Sequence, residues 1–476
     1  MSRLREKRRT RIVCTLGPAC AGEVLPRLVA AGMNVARLNF SHGTREEHGD
    51  WIRRLRELSG PGGAPLAILQ DLAGPKIRIG QVPGGELELA AGQIFHLGVG
   101  PLPEGVPGTT VAYPQVIRDT PVGVPLLLAD GSIELKVEGK TDQTLRCRVV
   151  VGGVLRSQVG INFPRHSLSL PAFTDKDRDD LRFGIEHGVD FVALSYVRSA
   201  QDVLAAREFM RSLGADLPLI AKIEKHEALD NLKEILEVVD GLMVARGDLG
   251  VEIPLERVPM VQKEIIAAAN VAAKPVITAT QMLLSMVTHS RPTRAEATDV
   301  ANAILDGTDA VMLSEETAAG RYPVEAVTFL DLISRATEKG FPHLTWLRSR
   351  APARRQEISE AVSYAACEMA QDLEAAAILA STNSGFTARL ISRLRPRTPI
   401  VAVTPNPETL RRLCLSWGVF PLLAPNLKNT DHMLRLVEEQ AVKAGMLHSG
   451  ERVIITAGIP IGVRGTTNLI KAEVVP

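Results

Sequence analysis

The sequence predicts an α/β protein: a closed (β/α)8 barrel of the TIM type, interrupted by a small inserted β-barrel lid domain and followed by an open α/β domain. Three observations lead there. Eight short apolar runs recur with amphipathic segments between them, a stretch of about a hundred residues rich in Gly, Pro and Val separates the third run from the fourth, and the alternation starts again after a basic segment near residue 343. Continuous apolar strands alternating with helices require a parallel sheet covered on both faces, and eight such units close it into a barrel.

In order, the runs are R-I-V-C-T-L-G, N-V-A-R-L-N-F, L-A-I-L-Q-D, F-V-A-L-S-Y, L-I-A-K-I-E, G-L-M-V-A-R-G-D, P-V-I-T-A-T and A-V-M-L-S-E-E. The helical segments carry their own signals. T-D-K-D-R-D-D-L-R-F-G-I-E-H-G has an N-cap at Thr174, an acidic first turn and a closing glycine at 188. The long interval after Asp71 holds the turn signals P-G-G (83–85) and D-G (130–131), as a small β domain would. Loops of this kind lie on the face where barrel enzymes do their chemistry, which makes the insert a lid; a passive insertion is the alternative. The expected boundaries are 1–76 and 172–342 for the barrel, 77–171 for the lid, 343–356 for a linker and 357–476 for a C-terminal α/β domain, with helices near Ile358–Leu373 and from Glu408 and Asp431.

Composition excludes several classes. With 45% hydrophobic residues in 476 the chain can bury a full core, and a formal charge of +1 leaves no global field to recruit nucleic acid or membrane. No apolar stretch of about 18 residues is available to span a bilayer. Cysteines 14, 20, 147, 367 and 414 form no C-x-x-C pair, which favours the reducing cytoplasm. The basic run Arg3–Arg11 reads as a solvated tail, with a nucleic-acid arm as the alternative; a strand beginning at Ile12 leaves little room for a removable presequence.

Residues 219–225, L-I-A-K-I-E-K, raise the question of function, because Lys222 and Glu224 point to one face of a strand that should be buried. Polar residues also end the other strands: Arg37, Asn39, Ser41 and His42, Asp71, Asp248, Thr280, Ser314 and Glu316. All are expected to converge on one mouth, and a structural salt bridge between Lys222 and Glu224 is the alternative. Glu224 and Asp248 follow consecutive strands, so both carboxylates reach one small hard cation, for which magnesium suits better than zinc. Lys222 and Arg37 add a pocket for a phosphorylated or multiply anionic substrate.

The segments V-C-T-L-G-P-A (13–19), G-M-N-V-A-R-L-N-F-S-H-G (32–43), A-K-I-E (221–224), M-V-A-R-G-D-L-G-V-E (243–252), T-A-T-Q-M-L (278–283), R-P-T-R-A-E (291–296) and M-L-S-E-E-T-A-A-G-R-Y-P (312–323) resemble pyruvate kinase over nearly the whole chain. The resemblance implies phosphoryl transfer from phosphoenolpyruvate to ADP, followed by protonation of the enolate. Lys222 would bridge the moving phosphoryl group and stabilise the enolate. Glu224 and Asp248 would hold Mg2+ or Mn2+, Arg37 and Arg78 would face phosphate, and Ala245, Arg246, Gly247 and Thr280 would line the substrate carboxylate. Thr15, Pro18, Asn39, His42 and Arg78 would form the nucleotide side. The enolate proton would come from Thr280 through an ordered water, or from Lys222 itself. Glu315 departs from the family, which usually carries glycine there.

The family also implies regulation and assembly. The loop Ser381, Thr382, Asn383, Ser384, Gly385, Phe386, Thr387 would take a phosphorylated effector, with ordinary helix capping by Ser384 or Thr387 as the alternative, and the chain would form a homotetramer. In Q-D-L-A-G-P-K-I-R-I-G (70–80), Lys76 stands where potassium-requiring members carry glutamate, beside Leu72, Ala73 and Ile79 where they tend to have Thr, Lys and Thr. Lys76 would then supply the charge of potassium near Asn39, Ser41 and Asp71, making K+ unnecessary; the alternative is a lysine pointing to solvent. A barrel lyase on a magnesium-bound enolate could use the same Lys, Glu and Asp but needs neither lid nor nucleotide side. A binding protein without activity would be expected to lack one of the three.

Overall fold

The computed structural model describes residues 3–476 except 60–63, 101, 103–104, 106, 165, 351–356, 426–429 and 461–464. The eight apolar runs are the strands of a closed parallel barrel: β1 (Arg11–Thr15), β2 (Val35–Asn39), β3 (Ala67–Asp71), β4 (Phe191–Leu194), β5 (Leu219–Ile223), β6 (Gly241–Ala245), β7 (Val276–Ala279) and β8 (Ala310–Leu313). Closure is made by β8 on β1, with Ile12 opposite Val311. Both faces are buried for different reasons. Val13, Leu69, Ile220, Met243, Ile277 and Met312 fill the interior, while Ile12, Ile68, Leu242 and Val311 pack outward against the helices. Helix starts follow their local chemistry: Thr174 with Asp177, Thr44 with Glu47 and Thr293 with Glu296 each form a reciprocal capping box.

Between β3 and the helix Asp175–Glu186, the insert forms a curled six-stranded sheet and a two-stranded ribbon, Gly153–Arg156 on Glu86–Leu89, with Phe95, Leu97, Leu126, Leu135 and Val149 in its core. The D-G signal is the hairpin between Pro125–Leu128 and Ile133–Lys140, where Ala129, Asp130 and Gly131 all have positive φ. The C-terminal domain is an open sheet of order β11-β10-β9-β12-β13, made of β9 (Ala377–Ser381), β10 (Ile400–Thr404), β11 (Val419–Leu423), β12 (Arg452–Gly458) and an antiparallel β13 (Thr467–Val474). Its Cys414 and Leu415 join the barrel's interior cluster and so close the end opposite the lid. Among the described residues no helix is long and apolar enough to cross a membrane.

One expectation gives way. The basic N-terminal run is not a solvated tail: Arg8, Arg9 and Arg11 are buried. Arg8 pairs with Asp331 at 2.8 Å, the backbone amides of Arg9 and Thr10 donate to Glu338, and Arg11 donates to the carbonyls of Ser416 and Val419. Partners more than three hundred residues away supply what the local sequence could not show. Within the stretch read as a linker, His343–Ser349 is a helix whose Trp346 and Leu347 are buried; residues 351–356 lie outside the described residues.

Candidate active site

The C-terminal ends of the barrel strands place Lys222 at the centre of the mouth. Its ammonium lies 2.8 Å from Glu224 Oε1, 3.4 Å from Asp71 Oδ1 and 2.8 Å from the hydroxyl of Ser195, which follows β4. Burial opposes the charge on Lys222, but Asp71 and Glu224 together outweigh it and hold its pKa above the ordinary lysine value. Asp71 also accepts from Arg37 Nε at 2.6 Å, while Arg37 Nη1 donates to Thr15 Oγ1 at 2.9 Å. Burial works against the Asp71 carboxylate as well, yet Lys222 and Arg37 keep its pKa below the usual range.

Glu224 behaves in the opposite way. Burial raises its pKa, Lys222 offsets this only in part, and repulsion from Asp248 adds to the rise. The amide of Tyr196 donates to its other oxygen at 2.7 Å. Asp248 stands in the first turn of the helix Arg246–Glu252, just past β6, and lines a cleft shared with the lid's Asn162, Phe163 and Ser167. Two carboxylates that repel each other beside one ammonium are a hard-oxygen set with charge to spare, which fits a divalent cation of the magnesium type.

The remaining strand-end residues divide into two groups. Thr280, at φ +67°, accepts from the Gly247 amide at 2.8 Å and donates to the Ala279 carbonyl, so β6 and β7 present one polar ledge. Arg246 does not face the mouth with its guanidinium, which is held by Asp299 at 2.7 Å and the Thr280 carbonyl at 2.7 Å; its backbone and that of Gly247 form the ledge. Glu316 is a correction to the expected convergence. Its carboxylate turns inward to accept from the amides of Ser314 and Leu283, a capping role. Glu315 is exposed at the start of the helix Glu315–Ala318 without a left-handed backbone, so a side chain is accommodated and its charge suits the helix N-terminus.

On the opposite side, Asn39 Oδ1 accepts from the Ser41 amide, and burial, helped by the positive field of Arg78, Lys76 and Arg37, lowers the pKa of His42. Lys76 is exposed at the root of the lid, lining the cleft, and Arg78 donates to the Gln158 carbonyl. Pro18 opens the short helix Pro18–Cys20 after β1. Leu72 is buried, and its carbonyl accepts from Ser195 Oγ at 2.6 Å.

The chain matches the family model described as pyruvate kinase, barrel domain, over residues 7–327, and that described as pyruvate kinase, alpha/beta domain, over residues 360–472. It belongs to the pyruvate kinase family. It is 48% identical over 473 residues to the pyruvate kinase of Geobacillus stearothermophilus, covering 98% of this chain and 81% of that protein. The pyruvate kinase of Bacillus licheniformis is also 48% identical, over 98% of this chain and 80% of its own length, as is pyruvate kinase 2 of Synechocystis over 98% and 79%. Family membership makes the chain a phosphotransferase of this type.

In the loop 381–387, Thr382 Oγ1 accepts from the Gly385 amide at 2.9 Å, a turn within the loop, and the helix Phe386–Ser392 begins at Gly385 with no side-chain cap from Ser384 or Thr387. Thr387 is tied to Thr467 at 2.7 Å, and the Asn383 carbonyl accepts from Thr409. Ser381, Thr382 and Thr387 are buried, whereas Asn383 is exposed. The sequence reading missed Ser195 and Tyr196. Their S-Y pair stood in the fourth apolar run, but a serine ending a strand looks ordinary until the lysine it contacts is located.

Proposed function

We propose that this chain transfers the phosphoryl group of phosphoenolpyruvate to ADP, giving ATP and pyruvate, the closing step of glycolysis, in the cytoplasm. The observation that carries the proposal is the buried Lys222 ammonium, held charged between Asp71 and Glu224 beside Arg37. Fixed positive charge in a dry site stabilises an anion far better than the same charge in water. Lys222 would meet the phosphoryl group as it moves and then the enolate oxygen left behind. Arg37, braced by Asp71 and Thr15, orients the phosphate, with Arg78 reaching in from the lid root. Ala245, Gly247 and Thr280 would line the carboxylate, and Thr15, Pro18, Asn39 and His42 the nucleotide.

Glu224 and Asp248 would hold Mg2+ or Mn2+, which when bound neutralises substrate oxygens. The lid, residues 77–171 in this reading, would close over the cleft to exclude water. Lys76, placed with Arg37 and Arg78 around His42, would replace potassium, so that K+ is not required. The 381–387 loop of the C-terminal domain, residues 357–476, would bind a phosphorylated effector through its exposed backbone near Asn383, and the chain would assemble as a homotetramer. A lyase is disfavoured by the nucleotide-side residues around His42. The test is a coupled assay of ATP formation from phosphoenolpyruvate and ADP with magnesium; turnover supports the proposal, and its absence over a range of magnesium, manganese and potassium concentrations refutes it.

A further inference from the structure

The turn after β4 touches both halves of the central charge pair. Ser195, 2% exposed, accepts from Lys222 Nζ at 2.8 Å and donates to the Leu72 carbonyl at 2.6 Å. The next residue, Tyr196, takes a left-handed backbone, φ +55°, that costs a non-glycine residue about 1 kcal/mol or more. That conformation aims its amide at Glu224 Oε2, 2.7 Å away. The turn is braced by close packing: a Cβ on Gly74 would lie 2.8 Å from Tyr196 Cδ2 and 3.1 Å from Ser195 Cβ. Gly74 has φ +63° and its amide is fixed by Asp177. A strained turn held from behind by an obligatory glycine is what is expected where a site must be pre-organised.

The chemistry explains what such a turn supplies. The ammonium already meets Glu224 Oε1 at 2.8 Å and Asp71 Oδ1 at 3.4 Å, and a third acceptor is what fixes its direction between them. The Ser195 hydroxyl, its proton directed to the Leu72 carbonyl, offers a lone pair in a fixed direction. Being neutral, it holds the ammonium without cancelling its charge. We infer that Ser195 is a positioning residue for Lys222, fixing the ammonium where developing negative charge arises, and that the left-handed Tyr196 turn sets Glu224 in register with it. This inference rests on the phosphoryl-transfer reading.

The experiment is steady-state kinetics of Ser195→Ala and Ser195→Cys in the ATP-forming assay, with Mn2+ affinity and thermal midpoint measured on the same samples. Loss of the tether is expected to lower kcat of Ser195→Ala about 10- to 100-fold, with KM for phosphoenolpyruvate and Mn2+ affinity within about threefold of wild type. Ser195→Cys keeps the volume but accepts weakly, so it should fall between the two. A kcat within about twofold of wild type, or KM and Mn2+ affinity weakening as much as kcat, would overturn the inference. If Ser195→Ala does not fold, the same readouts on Ser195→Cys decide it. Wild-type enzyme that makes no ATP removes the functional reading and this inference with it; active wild type with unaffected variants removes only the role of Ser195.

Discussion

The two ends of the barrel use the same residue types to opposite purposes. At the closed end, the residue just before each even-numbered strand caps the preceding odd one. Asn34 accepts from the Ile12 amide, Asp190 from Ile68, Asp240 from Leu219 and Asp309 from Val276, all at 2.8–3.0 Å. In two of them the other oxygen meets an arginine: Asp190 receives Arg411 at 2.6 Å, and Asp309 receives the fully buried Arg395 at 3.0 Å. Arg395 is held further by Asn270 and the Gly307 carbonyl and lies over Trp417. At the mouth, by contrast, Asp71, Glu224 and Asp248 face Arg37 and Lys222, and burial together with repulsion from Asp248 pushes the Glu224 pKa up. Saturated carboxylates hold domains together, whereas carboxylates left in excess are available to a cation. Burial alone does not separate structure from function; at the mouth three carboxylates stand against two cations.

That contrast can be broken most sharply at Lys222. Lys222→Met is expected to cost about a thousandfold in kcat with little change in KM. Turnover within about tenfold, some 1.4 kcal/mol of barrier, would remove Lys222 from its role. Arg395→Met should do the converse. It leaves Asp309 buried without its arginine and is expected to destabilise the fold by about 3 kcal/mol or more, read from denaturant unfolding, with kcat per folded molecule preserved. Equal loss of activity and stability in both variants would erase the distinction.

Lys76 sharpens the comparison, since it is an exposed charge at the mouth with no carboxylate bound to it among the described ion pairs. Wild-type activity is expected to be full in potassium-free buffer containing a large organic cation and magnesium. Lys76→Glu should lower it and make the remainder respond to potassium. A wild type silent without potassium would end the tethered-cation reading.

The smallest effect expected is a pH dependence at the closed end. His343 Nδ1 donates to the Arg395 carbonyl and Nε2 accepts from Arg9, so the ring sits neutral. Burial, with Arg9 and other arginines nearby, lowers its pKa to about 4. The unfolded chain, near 6.5, binds more protons than the fold between those values. The His343 contribution is therefore complete above pH 6.5 and is lost as pH falls towards 4, at no more than about 1.4 kcal/mol per pH unit. Denaturant unfolding from pH 7 to 4 should show a shallower acid slope in His343→Gln; an unchanged slope would mean the ring is not held neutral.

Much of this contrast was legible in the sequence, but unevenly. Short continuous apolar runs showed every barrel strand, because stretches such as L-A-I-L-Q-D and A-V-M-L are buried on both faces. Lys222, Glu224 and Asp248 stood out because charge ends an apolar run. Arg8, Arg9 and Arg11 did not, since their partners lie at Asp331, Glu338 and residues 416–419, and a basic run without those contacts looks solvated. Glu316 misled for the reverse reason: a carboxylate at a strand end can turn back to cap amides as readily as face a substrate. The closed-end pattern was present as G-M-N-V, G-V-D-F, V-V-D-G and G-T-D-A, yet its meaning depends on cross-strand register.

The most direct test is equilibrium binding of Mn2+ to wild type, Glu224→Gln and Asp309→Asn, followed by the ion's paramagnetic signal. The mouth is expected to bind one ion, Glu224→Gln to weaken it by about tenfold or more, and Asp309→Asn, at the saturated end, to bind as wild type does. Undiminished binding in Glu224→Gln, or equal weakening in Asp309→Asn, would contradict the claim that unbalanced carboxylates at the mouth are what makes this barrel a phosphotransferase site.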